Sequence, residues 1–180
     1  MGSEKRATYD IHSILNEMRD EYWQGLAEVE ETEEESLECV TFALGGEIYA
    51  FESHYAAEII RVPRLVKVPR VPEMIVGVFN LRGEITAAVD LRPFLGLSRP
   101  ALDSTGRIIV VKSEKFATGL LTESVLGVEA LSLGTFEPVV KSLPGSQREY
   151  VRGQLHKDDR YIMLLDIAKL LTAPQMVVGQ

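Results

Sequence analysis

The sequence predicts a mainly β protein, arranged as small barrels or a sandwich in two similar lobes and preceded by an amphipathic helical extension. Three observations lead there. From Leu37 onward the apolar residues alternate with period two in short runs bounded by turn residues. No long helical periodicity interrupts those runs, which argues against a parallel α/β sheet. And one hairpin-like stretch recurs at a constant offset of 76 residues.

The chain opens differently. Ile11, Ile14, Leu15, Met18, Tyr22, Leu26 and Val29 fall at spacings of three and four, with most of the acidic residues off that stripe. Residues 10–29 therefore read as an amphipathic helix, about 30 Å long at 1.5 Å per residue. The crowded carboxylates of EVEETEEES that follow repel one another and offer nothing to bury, so residues 30–36 read as a solvated linker. Two destinations stand open for the stripe: it packs back on the body, or it docks on a partner through Ile11, Ile14, Leu15, Met18 and Tyr22. We expect residues 1–36 to form this extension, 37–172 a domain of two intertwined lobes, and 173–180 a tail.

Each body element has its own signal. LECVTFAL and EIYAF flank Gly45-Gly46, a dipeptide that takes positive φ, and predict a hairpin. SHYAAEII predicts a short helix capped by Ser53. Pro63, Pro69 and Pro72 then hold an extended, irregular connection, punctuated every third residue by Arg61, Arg64, Lys67 and Arg70, which read as a solvated edge. Strands follow in MIVGVFNLRG, EITAAV, RIIVVK, FATGLLTE, SVLGVEAL, YVRGQL and RYIMLL, and SLGTFEPVVKSLPGSQRE reads as a long loop.

The repeat separates residues the fold needs from residues it does not. GVFNLRGEITAAVDLRPFL (77–95) lies over GQLHKDDRYIMLLDIAKLL (153–171) without a gap, matching Gly77 with Gly153, Asp90 with Asp166 and Leu95 with Leu171. Asp90 and Asp166 each precede an apolar, helix-like segment, where a carboxylate accepts bonds from free backbone N–H groups. Asn80-Leu81-Arg82-Gly83, by contrast, is replaced by His156-Lys157-Asp158-Asp159. Strand alternation puts Phe79 and Leu81 on one face and Val78, Asn80 and Arg82 on the other, so a core under Phe79 turns Arg82 outward beside apolar Val78. Arginine among exposed apolar residues is the composition of an interface hot spot.

Charge and chemistry exclude several classes. The net charge of −8 is concentrated in residues 1–38, with 3 Lys/Arg against 12 Asp/Glu, and leaves the rest near neutral, so nucleic acid is not expected as a partner. No run of 18 apolar residues and no signal-peptide centre is present, which predicts a cytoplasmic protein without membrane insertion. The single Cys39 excludes an internal disulfide and a multi-cysteine zinc site. His12, His54 and His156 lack ligand spacing, and no nucleophile elbow or phosphate-binding loop occurs, so no catalytic residue, metal or cofactor is expected.

GVFNLRGEITAAVDLRPFLGL resembles the signature of CheW-like domains, the adaptor modules of bacterial chemosensory arrays. The similarity extends through LECVTFALGGEIYAF, AAEIIRV, RIIVVKSEKFATGLLTESVLGVEAL and YVRGQLHKDDRYIMLLDIAKLL, in order over about residues 37–172. The resemblance implies two small SH3-like β-barrels packed on a shared core. It also implies a non-catalytic adaptor, located at receptor arrays, that joins the cytoplasmic tip of a chemoreceptor (a methyl-accepting chemotaxis protein) to the regulatory domain of a CheA-type histidine kinase. Its receptor-contacting groove involves positions aligning with Arg82, Glu58 and Gly77, flanked here by Val78, Asn80 and Gly83. Two residues depart from the family pattern: Ala87 stands where a proline is common and Ala56 where a β-branched residue is, and both are expected to flatten or widen the groove. A modulator that binds only one of the two partners is the nearest alternative, and a small-molecule or enzymatic barrel using Asp90, Asp166 and the histidines is a more distant one.

Overall fold

The structure, a computed structural model, describes residues 18–19, 35–138 and 143–176. The chain divides into two compact units, Met1–Glu35 and Ser36–Gln180. Of the first, Met18 and Arg19 are described and are helical; Ile11, Ile14, Leu15 and Tyr22 lie outside the described residues.

The second unit is two sheets. Strands β1 (Ser36–Leu44) and β2 (Glu47–Glu52) form the expected hairpin, with Gly45 and Gly46 at φ of 57° and 80°. After β3 (Ala56–Arg61) and the proline-rich connection come β4 (Ile75–Leu81) and β5 (Glu84–Asp90), a helical turn Leu91–Phe94, β6 (Arg107–Lys112), β7 (Ala117–Thr122) and β8 (Ser124–Ser132). The chain closes with β9 (Glu137–Pro138), helix Gly145–Tyr150, β10 (Val151–Lys157), β11 (Arg160–Leu165) and helix Ile167–Leu171. One sheet runs β8-β1-β2-β11-β10-β9 and the other β3-β6-β7-β5-β4.

The connections interlock these sheets. Strand β3 follows the β1–β2 hairpin but pairs with β6 in the second sheet, while β8 follows the β6–β7 hairpin but returns to pair with β1 in the first. Each lobe thus lends one strand to the other. Both borrowed strands carry a bulge, at Ala56/Glu58 and opposite Thr41/Phe42. Separating the lobes would unpair a strand from each, so the two barrels form one compact unit.

The repeat is structural as well as sequential. Strands β4 and β10 begin at Ile75 and Val151 and end at Leu81 and Lys157; pairings Ile75↔Val89 and Val151↔Leu165 correspond, and both hairpins bulge at the same place. The Asp90 N–H donates to the Met74 carbonyl at 2.7 Å, as that of Asp166 does to Tyr150 at 2.8 Å. Gly77 and Gly153 recur for one reason: a chain segment lies over each. A Cβ would sit 2.8 Å from the Val66 carbonyl oxygen at Gly77 and closer still to that of Glu137 at Gly153.

Three apolar clusters result. Phe79, Ala88, Ile108, Val110 and Leu121 fill one barrel, and Cys39, Ala50, Leu131, Leu155, Ile162 and Leu164 the other. The largest lies between them and contains Phe42, Tyr49, Phe51, Leu91, Leu95, Ile109 and Leu120. Central strands are therefore buried on both faces, which is why RIIVVK and TGLLT read as nearly continuous apolar runs rather than strict alternations. Each fully buried side chain of this size contributes about 1.5–3 kcal/mol.

Two expectations need correction. SHYAAEII is not a helix: Ser53–Tyr55 forms one 3-10 turn without a side-chain cap, the Ser53 hydroxyl donates to Glu38 instead, and Ala56–Arg61 is strand β3. Pairing with distant β6 overrides the local helical preference of Ala-Ala-Glu. Nor is SLGTFEPVVKSLPGSQRE wholly a loop, since it supplies the turn Leu133–Thr135, β9 and the helix Gly145–Tyr150.

Candidate functional site

Arg82 and Gly83 are the two central residues of the β4–β5 turn, at φ of 52° and 91°. Positive φ at both positions is the geometry that matches strand twist in a two-residue hairpin. It disfavours a residue with a Cβ by about 1–2 kcal/mol. The Asn80 side-chain oxygen braces the turn by accepting the Gly83 N–H at 2.7 Å. In the repeated hairpin Asp158 and Asp159 take the same conformation, so the turn needs no arginine.

What Arg82 adds is a link across the barrel seam. Its Nη2 lies 2.9 Å from Glu58 Oε2, joining β4 to β3, which stand at opposite ends of the sheet order. The Arg82 side chain is 81% exposed against 25% for Glu58. Such a pair contributes about 0–1 kcal/mol, too little to explain an arginine held in the left-handed region. The first barrel closes its own seam elsewhere, through Lys157 Nζ at 2.7 Å from Glu129 Oε2. The Lys157 bond and one from Thr41, set against burial, hold the Glu129 carboxyl below its usual range.

An apolar surface accompanies Arg82. Ile85 faces Asn80 across the hairpin and is 73% exposed; Val66 pairs with Val78 on the other edge of β4 and is 61% exposed. Among the sequence-derived site residues, Arg82, Asn80 and Gly83 are exposed, Glu58 and Val78 are half-buried, and Gly77 is buried beneath Leu65 and Val66. Gly77 shapes this surface from below by letting Val66 lie against β4. The exposure of Ile85 and Val66 was not singled out from sequence. The signal was there for Ile85, which alternates with buried Thr86 on the strand facing Asn80.

Asp90 and Arg92 form a second feature, and Arg92 was missed. Arg92 donates from Nε and Nη2 to Asp90 at 3.0 and 2.9 Å, from Nη1 to Glu123 at 3.0 Å and to the Pro100 carbonyl at 2.8 Å. Arg99 Nε reaches Asp90 at 2.9 Å, and Glu123 accepts the Gly45 N–H at 3.0 Å. This network ties the end of β5 in one sheet to the β1–β2 turn of the other. Burial pushes the Asp90 carboxyl up, but the Arg92 bonds and the Arg92 and Arg99 charges outweigh it and hold the group below the usual carboxylate range. Asp90 and Asp166 both cap helical turns, accepting the N–H of Arg92 and of Lys169 at 3.0 Å. The buried Asp90 is occupied by guanidinium groups, which suits a strut rather than a proton-transfer acid. Among the described residues no group of three His, Cys, Asp or Glu side chains is placed to hold a metal ion.

Comparison with known proteins places this architecture. The family model described as the CheW-like domain matches residues 38–175. Chemotaxis protein CheW of Treponema pallidum is 27% identical over 147 residues, covering 79% of this chain and 86% of that protein. CheW of Klebsiella aerogenes is 28% identical over 156 residues, covering 86% and 94%, and protein PilI of Pseudomonas aeruginosa is 25% identical over 129 residues, covering 72% of each. The crystal structure of the scaffolding protein TtCheW from Thermoanaerobacter tengcongensis superposes with a TM-score of 0.68 at 26% identity, covering 78% of this chain and 96% of that one. With the signature hairpin, the paired barrels and the family match all spanning the same residues, the chain belongs to the CheW-like domain family.

Proposed function

We propose that this chain is a non-catalytic adaptor that couples chemoreceptors to a CheA-type histidine kinase, and that the receptor tip docks on the rim formed by Arg82, Glu58, Asn80, Ile85 and Val66. The observation that carries the site is the exposed Arg82. It is held in a disfavoured backbone conformation, paired across the barrel seam and set beside apolar side chains whose exposure the fold does not require. Gly77 and Val78 act beneath that rim, fixing Val66 against β4. Among the described residues no helix is long and apolar enough to cross a membrane, and a receptor contact would bring the chain to the array.

The test is pairwise binding of purified chain to receptor cytoplasmic fragments and, separately, to CheA. Arg82→Glu puts a carboxylate against Glu58 and reverses the charge offered to the receptor, so receptor affinity should fall at least tenfold while CheA affinity stays the same. Unchanged receptor binding would move the site elsewhere. A parent chain that binds one partner and not the other favours the modulator reading, for which the small Ala56 and Ala87 at the margin of the central core are the first residues to restore to β-branched and proline.

A further inference from the structure

The β3–β4 connection carries a row of cations that the adaptor reading does not use. Residues 61–72, RVPRLVKVPRVP, are four triplets, each a cation, then Val or Leu, then Pro or Val. Exposure follows the same period: Arg61, Arg64, Lys67 and Arg70 are all exposed, while Val62, Leu65, Val68 and Val71 are all half-buried. Val62 and Leu65 pack on the second barrel's core and Val71 on the central one. A proline-held extended chain turns once in about three residues and rises about 3.1 Å per residue, so every third side chain shares a face and successive cations stand about 9 Å apart. Arg70 ends the row in a turn, at φ 60°.

Among the described residues none of these four cations has an ion pair or a side-chain hydrogen bond, whereas Arg82, Arg99, Arg152, Lys157 and Arg160 each meet a carboxylate. Arg61 also stands directly opposite Arg107 across the β3–β6 pair. Like charges facing one another across a sheet are destabilising, so this edge concentrates positive charge at a cost to the fold. Asp103, which lines the same cleft as Arg61 and Arg107, turns its carboxylate onto the Thr105 N–H and hydroxyl instead. Beside the cations the third face of the ribbon is Pro63, Val66 and Pro69, with Val66 61% exposed.

We propose that this ribbon is a docking surface for an acidic, extended protein segment whose carboxylates recur at about every third residue. Apolar contact on Val66 and Pro69 beside the spaced cations suits a peptide, which carries apolar side chains between its carboxylates, better than a phosphate array. The surface adjoins the proposed receptor contact and shares Val66 with it, but its cations are not part of that contact; the assay below contains no receptor, so either assignment can fail alone. Anisotropy of a labelled (Glu-Ala-Pro)4 peptide, titrated with the full chain, is compared with an isomer whose four glutamates are consecutive. The spaced peptide should bind at least fivefold tighter, Arg64→Gln/Lys67→Gln should weaken it at least tenfold at an unchanged melting temperature, and raised salt should weaken it further. Equal binding of the two isomers overturns the proposal. So does a double variant that binds like the parent, or tighter binding of phosphatidylglycerol vesicles or oligothymidine through the same residues.

Discussion

Replacing Arg92 with leucine tests how the two lobes are held in register. The substitution removes the donors at 3.0 and 2.9 Å from Asp90, the one at 3.0 Å from Glu123 and the one at 2.8 Å from the Pro100 carbonyl. It leaves Asp90, 1% exposed, with only Arg99 Nε and one backbone N–H. Removing one partner of a buried ion pair costs about 3–5 kcal/mol, a large share of the roughly 5–15 kcal/mol that holds a domain folded. Urea unfolding should show that loss as a lower midpoint at an unchanged slope, and the melting temperature should fall by about 10 °C. The pH dependence gives the sign. In the parent the Asp90 carboxyl is held below its unfolded value, so its contribution is complete above the usual carboxylate range and is lost as pH falls through the folded value. In the variant burial dominates and raises the folded value, so the unpaired charge destabilises at neutral pH and is relieved by protonation. The difference between parent and variant should therefore be largest near pH 7 and shrink toward pH 4. Asp90→Asn added to Arg92→Leu should recover part of the loss. A deficit below about 1 kcal/mol, or one independent of pH, would refute the strut.

Arg82→Gly should change stability by less than about 1 kcal/mol, because relief of the positive φ offsets the lost exposed pair, yet weaken receptor binding; a large change in melting temperature would show Arg82 to be structural. Gly77→Ala should cost about 1–3 kcal/mol by pushing Val66 off β4, measured by thermal melting, and an unchanged melt would contradict the overlap with the Val66 carbonyl. Cys39 is buried with its thiol pushed up to about 11 by burial first and nearby carboxylates second, so iodoacetamide at pH 8 should label it only in denaturant. Ile85→Asp should leave the melt within about 0.5 kcal/mol of the parent and reduce receptor binding, as expected for an apolar side chain exposed on the rim.

Much of this architecture was readable in the chain because its signals are local. Gly45-Gly46 marks a hairpin, and the 76-residue repeat revealed the hairpin pair, its caps and the outward Arg82. Non-local features were not readable. Strand β3 carries a helix-favouring Ala-Ala-Glu and becomes a strand only because β6 lies beside it, and the exchange of β3 and β8 between lobes leaves no mark on either segment alone. Arg92 sits in a cap-like DLRPF, where nothing signals that its guanidinium turns inward to Asp90 and Glu123. The bond between Arg82 and Glu58 likewise depends on barrel closure bringing the two ends of one sheet together.

As the proposed adaptor, this chain bridges two proteins. Sedimentation of receptor arrays with CheA, with and without the chain, measures that directly as the CheA recovered in the pellet. Parent chain should raise CheA recovery several-fold, and Arg82→Glu should abolish the increase while still binding CheA in solution. CheA recovery that is the same without the chain, or the same with Arg82→Glu as with the parent, would contradict it.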